Sequence, residues 1–261
     1  SVWRMMAKIR ETTTYKSLSE LPNHETRLRL AEEVGRGLAL NADLSSLMPV
    51  DSLAPSLPGY RDTRGYYRQF RSVLAGNRTE AEAEAWLPED ADVREATLDS
   101  YLVHCETSEY LRRLNDPELQ EWIDLCRLLE PDAMKLVNAV ENGTIRRTPI
   151  HGDTKLDNFL FCRQTQQVRS LVDLDTIMPY TWLADWGDMV RSLINVAGEK
   201  ERDTDLIQVN QEVYESVARG FLGTVEGATA LELELMVPAV QAITLELGVR
   251  FLTDYLRGDN Y

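Results

Sequence analysis

The chain of 261 residues is poor in cysteine, in basic residues relative to acidic ones, and in long apolar runs. Its cysteines, Cys105, Cys126 and Cys162, are odd in number, far apart and not in metal-site spacing, so we expect a reducing compartment and a cytoplasmic protein. The net charge of −15 disfavours nucleic acid as the main partner, because phosphate binding needs basic stripes. An acidic surface would suit a cationic substrate, although the ordinary surface of an acidic cytoplasmic protein explains the charge more simply.

No apolar run reaches the length of a membrane span, so we expect no membrane association. The longest run, LMVPAVQAITLELGV at residues 235–249, is interrupted by Pro238 and Glu246. Apolar residues make up 43% of the chain, which is enough for one large domain or two small ones.

Helical periodicity dominates the sequence. It predicts a helix from about Glu25, one from about Arg64, one over 87–114, one or two over 116–143, and helices over 186–197, 206–222 and 229–256. In the middle of the chain, NFLFCR and VRSLVDLD indicate two strands joined by the polar turn QTQQ, which is a β-hairpin. The expected fold class is α+β, predominantly helical, with one small hairpin.

Polar residues that are unfavourable to bury cluster around this hairpin, beginning in TPIHGDTKLDNFLF at residues 148–161. Asp153 and Asn158 lie on the loop entering the first strand, and Asp173 and Asp175 end the second strand, so a tight hairpin brings the four together. Three carboxylates share a site only where positive charge is present. One or two Mg²⁺ ions, bound by carboxylate, amide and phosphate oxygens, would supply that charge, and Lys155 adds a cation.

The spacing His-x-Asp-x-x-x-x-Asn, followed by an apolar strand that ends in Asp, is the layout of phosphoryl transfer. In that layout the first Asp accepts the proton of the substrate hydroxyl. The Asn and the later Asp hold metal that bridges the phosphates. HGDTKLDN keeps this spacing, and LVDLD replaces the D-F-G turn of protein kinases.

HGDTKLDNFLF together with LVDLD resembles the aminoglycoside phosphotransferase and choline kinase group, small-molecule kinases with a protein-kinase-like fold. The strings DLDTIMP, DWGDMVRSLIN and RFLTDYLRGDNY, with PGYRDT and WRMMAKIRETTTY, are similar to the N-acetylhexosamine 1-kinases. Those enzymes phosphorylate the anomeric hydroxyl of N-acetylglucosamine and N-acetylgalactosamine with ATP and Mg²⁺. The resemblance extends from Trp3 to Tyr261.

This resemblance implies a role for each residue of the loop and hairpin. Asp153 is the expected catalytic base. Asn158 and Asp173 are the expected Mg²⁺ ligands, with Asp175 beside them. Lys155 is expected to contact the phosphates of ATP, with a solvated surface position as the alternative.

The resemblance also implies a sugar site and a structural support. Arg250, Tyr261 and Asp62 are the expected sugar-binding residues, with Arg61 beside Asp62 as a further candidate. His151 and Asp185 are expected to brace the catalytic loop.

One departure from the family concerns the N-terminal lobe, which carries a nucleotide-covering loop and a phosphate-binding lysine. No Gly-rich loop appears in this sequence. We therefore expect residues 1–16 to be a hinge following a missing ATP-binding lobe, and residues 17–261 to be the helical catalytic and substrate-binding lobe. The activity is assigned to the full-length protein, and this piece alone is expected to bind nucleotide poorly.

Other functions stay open at this point. The acceptor is an N-acetylhexosamine or, alternatively, an aminoglycoside, choline or another amino-alcohol. A non-catalytic, pseudokinase-like binding protein belongs to a different class, favoured by the missing lobe and disfavoured by the intact Asp153, Asn158 and Asp173. A metal-dependent hydrolase or a D-x-D glycosyltransferase would explain DLD but leaves HGDTKLDN unexplained.

Overall fold

The computed structural model describes residues 8–50, 53–195, 197, 201 and 203–259. The fold is mostly helical with little sheet, which confirms the expected class. The helices are α1 His24–Ser46, α2 Thr63–Leu74, α3 Glu80–Ala83, α4 Ala91–Thr97, α5 Thr107–Leu114, α6 Pro117–Leu128, α7 Glu130–Glu141, α8 Trp182–Ile194, α9 Gln211–Leu222, α10 Ala230–Glu234 and α11 Met236–Arg257. The strands are β1 Thr12–Thr13, β2 Thr148–Ile150, β3 Phe159–Cys162, β4 Val168–Leu171 and β5 Met178–Tyr180.

The strands form two small antiparallel sheets. The first has the order β1-β3-β4, with Phe159 opposite Leu171, and contains the predicted hairpin. The second pairs β2 with β5, with Thr148 opposite Tyr180. The sequence indicated extended chain around ETTTY, where β1 lies, but did not predict the second sheet, because strands of three residues are too short to show an alternating pattern.

Several helix ends follow their sequence signals. Asn23 accepts a hydrogen bond from the Thr26 amide and starts α1 at His24, close to the predicted Glu25. Asp116 caps α6 with Pro117 in its first turn, as the sequence predicts.

Other boundaries differ from the predictions. The helix expected over 87–114 is broken between α4 and α5, where the amides of His104 and Cys105 donate instead to the carbonyl of Arg257 at 2.8 and 3.2 Å. The helix expected over 229–256 is two helices, α10 and α11, and Pro238 falls in the first turn of α11, where its missing N–H removes no helical hydrogen bond. Such breaks are set by distant contacts, which the local period does not reveal.

The chain divides into two compact units. Unit 1 comprises Ser1–Pro49, Asp153–Asp175 and Asp188–Ala228, and unit 2 comprises Val50–Gly152, Thr176–Gly187 and Thr229–Tyr261. The predicted division into a hinge over 1–16 and a lobe over 17–261 stays a prediction.

Unit 1 is built on the packing of α1 against α9. Two glycines allow the close approach: a Cβ on Gly35 would lie 2.0 Å from the Val217 carbonyl oxygen, and one on Gly220 would lie 1.9 Å from that of Glu32. The buried Phe159 brings the three-stranded sheet into the same unit. The hairpin therefore rests on a helix pair that has no room for side chains at its closest points.

Unit 2 has its core where α2 and α7 pack against α11, with Tyr67, Phe70 and Val73 buried. Trp186 is buried too, and its indole N–H donates to the Met236 carbonyl at 3.0 Å. Among the described residues, α11 is the one helix long and apolar enough to cross a membrane by length and composition. Its buried positions pack in the core of unit 2, as in the central helix of a globular domain.

Candidate functional site

The loop that carries Asp153 closes on itself within unit 1. The side-chain amide of Asn158 donates to the Asp153 carbonyl at 2.7 Å and to its carboxylate oxygen Oδ2 at 3.3 Å. A single 3₁₀ turn, Leu156–Asn158, then leads directly into β3. The spacing of five residues therefore gives Asn158 the reach to fix both the backbone and the side chain of Asp153.

Lys155 forms an ion pair with Asp153, its Nζ lying 2.8 Å from Oδ2. The hydrogen bond to Asp153 raises the pKa of Lys155, partial burial opposes this, and the charges of Asp157 and Asp173 add to the rise. The ammonium group is therefore held protonated among three carboxylates.

The end of β4 is tied to the start of β3, because the amide of Val172 donates to the Asn158 carbonyl at 2.9 Å. Asp173 follows with a φ of 68°, a left-handed conformation that aspartate tolerates better than most residues. Asp175 is exposed in the next 3₁₀ turn, Leu174–Thr176. The hairpin thus brings Asp153, Asn158 and Asp173 to one end, with Asp175 just beyond; their metal and base roles stay predictions.

Asn158 and Asp173 supply oxygen donors of the kind that Mg²⁺ binds. Among the residues described, no group of three or more His, Cys, Asp or Glu side chains could hold a metal ion. The expected site is of another kind, since Mg²⁺ beside phosphates takes one or two carboxylates and keeps its other positions for phosphate and water. Asn158 turns its NH₂ group to Asp153, which leaves its amide oxygen for a cation, and Asp173 supplies a carboxylate. These residues fit such an open site.

A cavity of about 840 Å³ lies in unit 1 and is lined by Asp153 and Lys155. Its wall also includes Lys16, Arg27 and Arg191. Basic side chains therefore lie beside acidic ones, Asp153, Asp157 and Asp188, around a space within the size range of cofactor pockets.

Arg191 is held in this wall by Asp188, whose carboxylate lies 2.8 Å from its guanidinium. The two residues are three apart on α8, the spacing that places side chains on the same helix face.

In unit 2, the residue pair before Asp153 is fixed by Asp185. Its carboxylate oxygens accept hydrogen bonds from the amides of His151 and Gly152, each at 2.8 Å. His151 and Asp185 are both buried; burial raises the pKa of Asp185 and these two hydrogen bonds oppose the rise. Gly152 has a φ of 85°, and a Cβ there would lie 2.6 Å from the Thr176 carbonyl oxygen. The contacts are those expected of a brace on this loop.

The predicted sugar-binding residues have different surroundings in unit 2. Arg250 lines a cavity of about 220 Å³ with Tyr60 and Tyr66, and its guanidinium carbon lies 4.8 Å from the centre of the Tyr66 ring. Asp62 caps α2 by accepting from the Gly65 amide at 2.8 Å, so the backbone already uses one of its oxygens. Its role in sugar binding stays a prediction, and Tyr261 lies outside the described residues.

A comparison with protein families shows what this loop and hairpin belong to. The model of the Phosphotransferase enzyme family matches residues 1–219. The chain belongs to this family. The superfamily expected from HGDTKLDN and LVDLD is thereby confirmed, and with it the protein-kinase-like fold.

Among solved structures, this member of the family is similar to an ethanolamine kinase of Plasmodium vivax. The two share 12% identity, the TM-score is 0.42, and the match covers 97% of this chain and 59% of the other. The chain therefore spans about 59% of that structure's length.

Sequence reasoning missed several residues that line the two cavities. Lys16 and Arg27 line the cavity of Asp153 from segments far away in the chain. Tyr60 lines the smaller cavity of unit 2 from a loop without helical or strand periodicity. Lys16 and Arg27 belong to no motif. Tyr60 lies within PGYRDT, of which sequence reasoning singled out only Arg61 and Asp62.

Proposed function

We propose that the full-length protein is an ATP- and Mg²⁺-dependent phosphotransferase that acts on a hydroxyl group of a small molecule. The carrying observation is the Asp153 carboxylate, held by Asn158 and Lys155 at a cavity that Lys16, Arg27 and Arg191 also line, in a chain of the Phosphotransferase enzyme family. Its three cysteines are free thiols, which supports the cytoplasm as its compartment.

In the proposed reaction, Asp153 accepts the proton of the acceptor hydroxyl as its oxygen bonds to the γ-phosphorus of ATP and the bond to the bridging oxygen of ADP breaks. Lys155 places a positive charge beside the Asp153 carboxylate, where it offsets charge on the transferred group. Asn158 and Asp173 would hold Mg²⁺, with Asp175 beside them, and the ion would neutralise phosphate charge. Catalysis of this type depends on positioning and electrostatics.

For the acceptor we propose a neutral sugar, with the anomeric hydroxyl of an N-acetylhexosamine as the first candidate. Support comes from the cavity of unit 2, where the guanidinium of Arg250 lies over the rings of Tyr60 and Tyr66, at 5.8 and 4.8 Å from their centres. A cationic headgroup such as choline prefers aromatic faces that carry no cation. Hydrogen-bonding groups beside those rings, from Gln69 and Thr253, suit hydroxyls better.

The test uses the full-length protein, radiolabelled ATP, Mg²⁺ and a panel of N-acetylglucosamine, N-acetylgalactosamine, choline, ethanolamine and an aminoglycoside. We expect label on a sugar, and an Asp153→Asn variant whose turnover is lower by at least about 100-fold. The control is Asp124→Asn, the same change on an exposed face of α6. Label on choline, ethanolamine or the aminoglycoside instead would replace the sugar assignment.

Two results would contradict the reaction itself. Near wild-type turnover in Asp153→Asn would remove the base assignment. Binding of nucleotide and sugar with no transferred label in the wild type would make the protein a non-catalytic, pseudokinase-like binder.

A further inference from the structure

The carbonyl oxygen of Gly152 receives two hydrogen bonds from one loop of unit 2. The Tyr60 hydroxyl donates at 2.8 Å, and the Arg61 guanidinium donates through Nη2, also at 2.8 Å. This carbonyl belongs to the peptide bond that joins Gly152 to Asp153. The two donors therefore fix the plane of the peptide from which Asp153 starts.

The Arg61 guanidinium is itself held from its other side. Its side chain is 5% exposed, and Nη1 lies 3.1 Å from Oε1 of Glu246, whose side chain is 1% exposed. Thr63 donates to the second oxygen, Oε2, at 2.8 Å. A buried ion pair is costly to desolvate, so its retention at this point indicates a need for one fixed geometry. The guanidinium is planar and rigid, so the bond from Nη1 to Glu246 also fixes the position of Nη2, which donates to the Gly152 carbonyl.

The backbone of Arg61 has an unusual conformation. Its φ is 56°, a left-handed conformation that costs a non-glycine residue about 1–2 kcal/mol. The Arg61 amide donates to the hydroxyl of the buried Tyr66 at 3.1 Å, which helps to hold this conformation. Backbone strain of this kind persists where the surroundings over-determine it, and it often marks a functional position.

The same aromatic residues line the smaller cavity. Tyr60 and Tyr66 lie in its wall, while their hydroxyls bond to Gly152 and to Arg61. The Arg61 guanidinium carbon also lies 5.2 Å from the centre of the Tyr60 ring. The ring of Tyr60 thus belongs to the cavity, and its hydroxyl belongs to the contact with the loop.

We propose that Tyr60 and Arg61 form a clamp, with Glu246 behind it, that positions the Gly152–Asp153 peptide for phosphoryl transfer. The clamp acts through the loop and touches no reacting atom, so its residues are positioning residues. It governs turnover more than substrate affinity. The inference rests on the proposed function for its catalytic consequence, whereas its structural part stands on the contacts above.

The first arm of the test measures the clamp without any substrate. Tyr60→Phe removes the hydroxyl and keeps the ring. Tyr110→Phe is the matched control, since that buried hydroxyl donates to another backbone carbonyl, of Val73, at 2.8 Å. In the full-length protein we expect faster amide hydrogen exchange in the peptide spanning residues 151–156 for Tyr60→Phe alone, with similar small losses of melting temperature in both variants.

The second arm measures turnover with ATP, Mg²⁺ and the acceptor found in the panel. We expect kcat to fall about tenfold in Tyr60→Phe with KM for both substrates unchanged, which corresponds to about 1.4 kcal/mol in the barrier. Tyr110→Phe should keep both parameters.

The two arms separate the clamp from the proposed function. Equal exchange in the two variants, or an unchanged kcat despite faster exchange, overturns the positioning role. If the wild type shows no turnover while Tyr60→Phe still accelerates exchange, the proposed reaction has failed and the hold on the loop stands.

Discussion

Two ion pairs, one in each unit, differ in how far water reaches them. In unit 1, Lys155 and Asp153 form an ion pair whose side chains are 49% and 30% exposed. In unit 2, Arg61 and Glu246 form a pair whose side chains are 5% and 1% exposed. Water screens the first pair and is excluded from the second, so the first is open to a ligand and the second fixes structure. The residues proposed for catalysis are therefore exposed to solvent, while those that hold the loop before Asp153 are buried.

The largest effect should come from breaking the buried pair. Glu246→Gln leaves the buried charge of Arg61 without its carboxylate, and we expect a loss of about 3–5 kcal/mol in the free energy of unfolding, measured by urea denaturation. The double variant Arg61→Met with Glu246→Leu removes both charges and should recover much of that loss. A loss below about 1 kcal/mol in Glu246→Gln would show that this pair contributes no more than an exposed surface pair, and the difference between the two pairs would not hold.

The next effect concerns the glycine before Asp153. Gly152→Ala adds a Cβ 2.6 Å from the Thr176 carbonyl oxygen at a φ of 85°, so we expect strain and a clash to cost about 2–4 kcal/mol. Gly143→Ala is a matched control, because its φ is 67° and nothing lies within 4 Å of the added atom. It should cost only the left-handed strain, about 1–2 kcal/mol, in thermal unfolding. Equal losses would show that the loop relaxes around the clash.

These two glycines also show what the sequence could reveal. Gly143 was predictable as a helix end, because it follows a helical period directly. The site loop was predictable as well, since HGDTKLDN keeps Asp153 and Asn158 at a spacing that functions within one loop. The local sequence pattern was sufficient to predict a feature where the interacting residues were close together in the chain.

The clamp could not be predicted in the same way. Arg61 and Glu246 are 185 residues apart, and Tyr60 reaches Gly152 across 92 residues. Nothing in the local pattern around any of them requires the others. The break between α4 and α5 has the same origin. The amides of His104 and Cys105 donate there to the carbonyl of Arg257, which is far away in the chain. Contacts of this separation are set by the fold as a whole.

A smaller effect, with a defined pH dependence, is expected at Asp185. Asp185→Asn replaces an acceptor of two backbone amides, and we expect a cost of about 1–3 kcal/mol. Burial raises the pKa of Asp185 in the folded state, so the folded protein binds its proton more tightly than the unfolded chain. The carboxyl group therefore contributes most to the free energy of unfolding at low pH. This contribution falls as the pH rises from the pKa of the unfolded chain, about 3.9, toward the higher pKa of the folded state.

Unfolding by urea at a series of pH values checks this sign. The cost of Asp185→Asn should shrink from about pH 4 upward. A cost that grows with pH would show that the amide hydrogen bonds outweigh burial and lower the pKa.

The smallest change in stability is expected where the exposed pair of unit 1 is broken. Lys155→Met should alter the free energy of unfolding by less than about 1 kcal/mol, because water screens the pair. Lys135→Met is the matched control: its ammonium lies 2.6 Å from Asp132 on α7, and its side chain is 48% exposed. Both variants should unfold at nearly the same urea concentration, since each loses one surface ion pair.

Turnover should separate the two lysine variants where stability does not. Lys155→Met removes the cation beside Asp153, so in the full-length protein its kcat should fall by about tenfold or more, while Lys135→Met keeps its rate. The hydrogen bond to Asp153 raises the pKa of Lys155, so the ammonium group of the wild type stays charged at neutral pH, where the rates are compared. An unchanged rate in Lys155→Met would assign this lysine to the solvated surface. A large loss of stability would instead show that the pair of Lys155 and Asp153, like that of Arg61 and Glu246, holds structure.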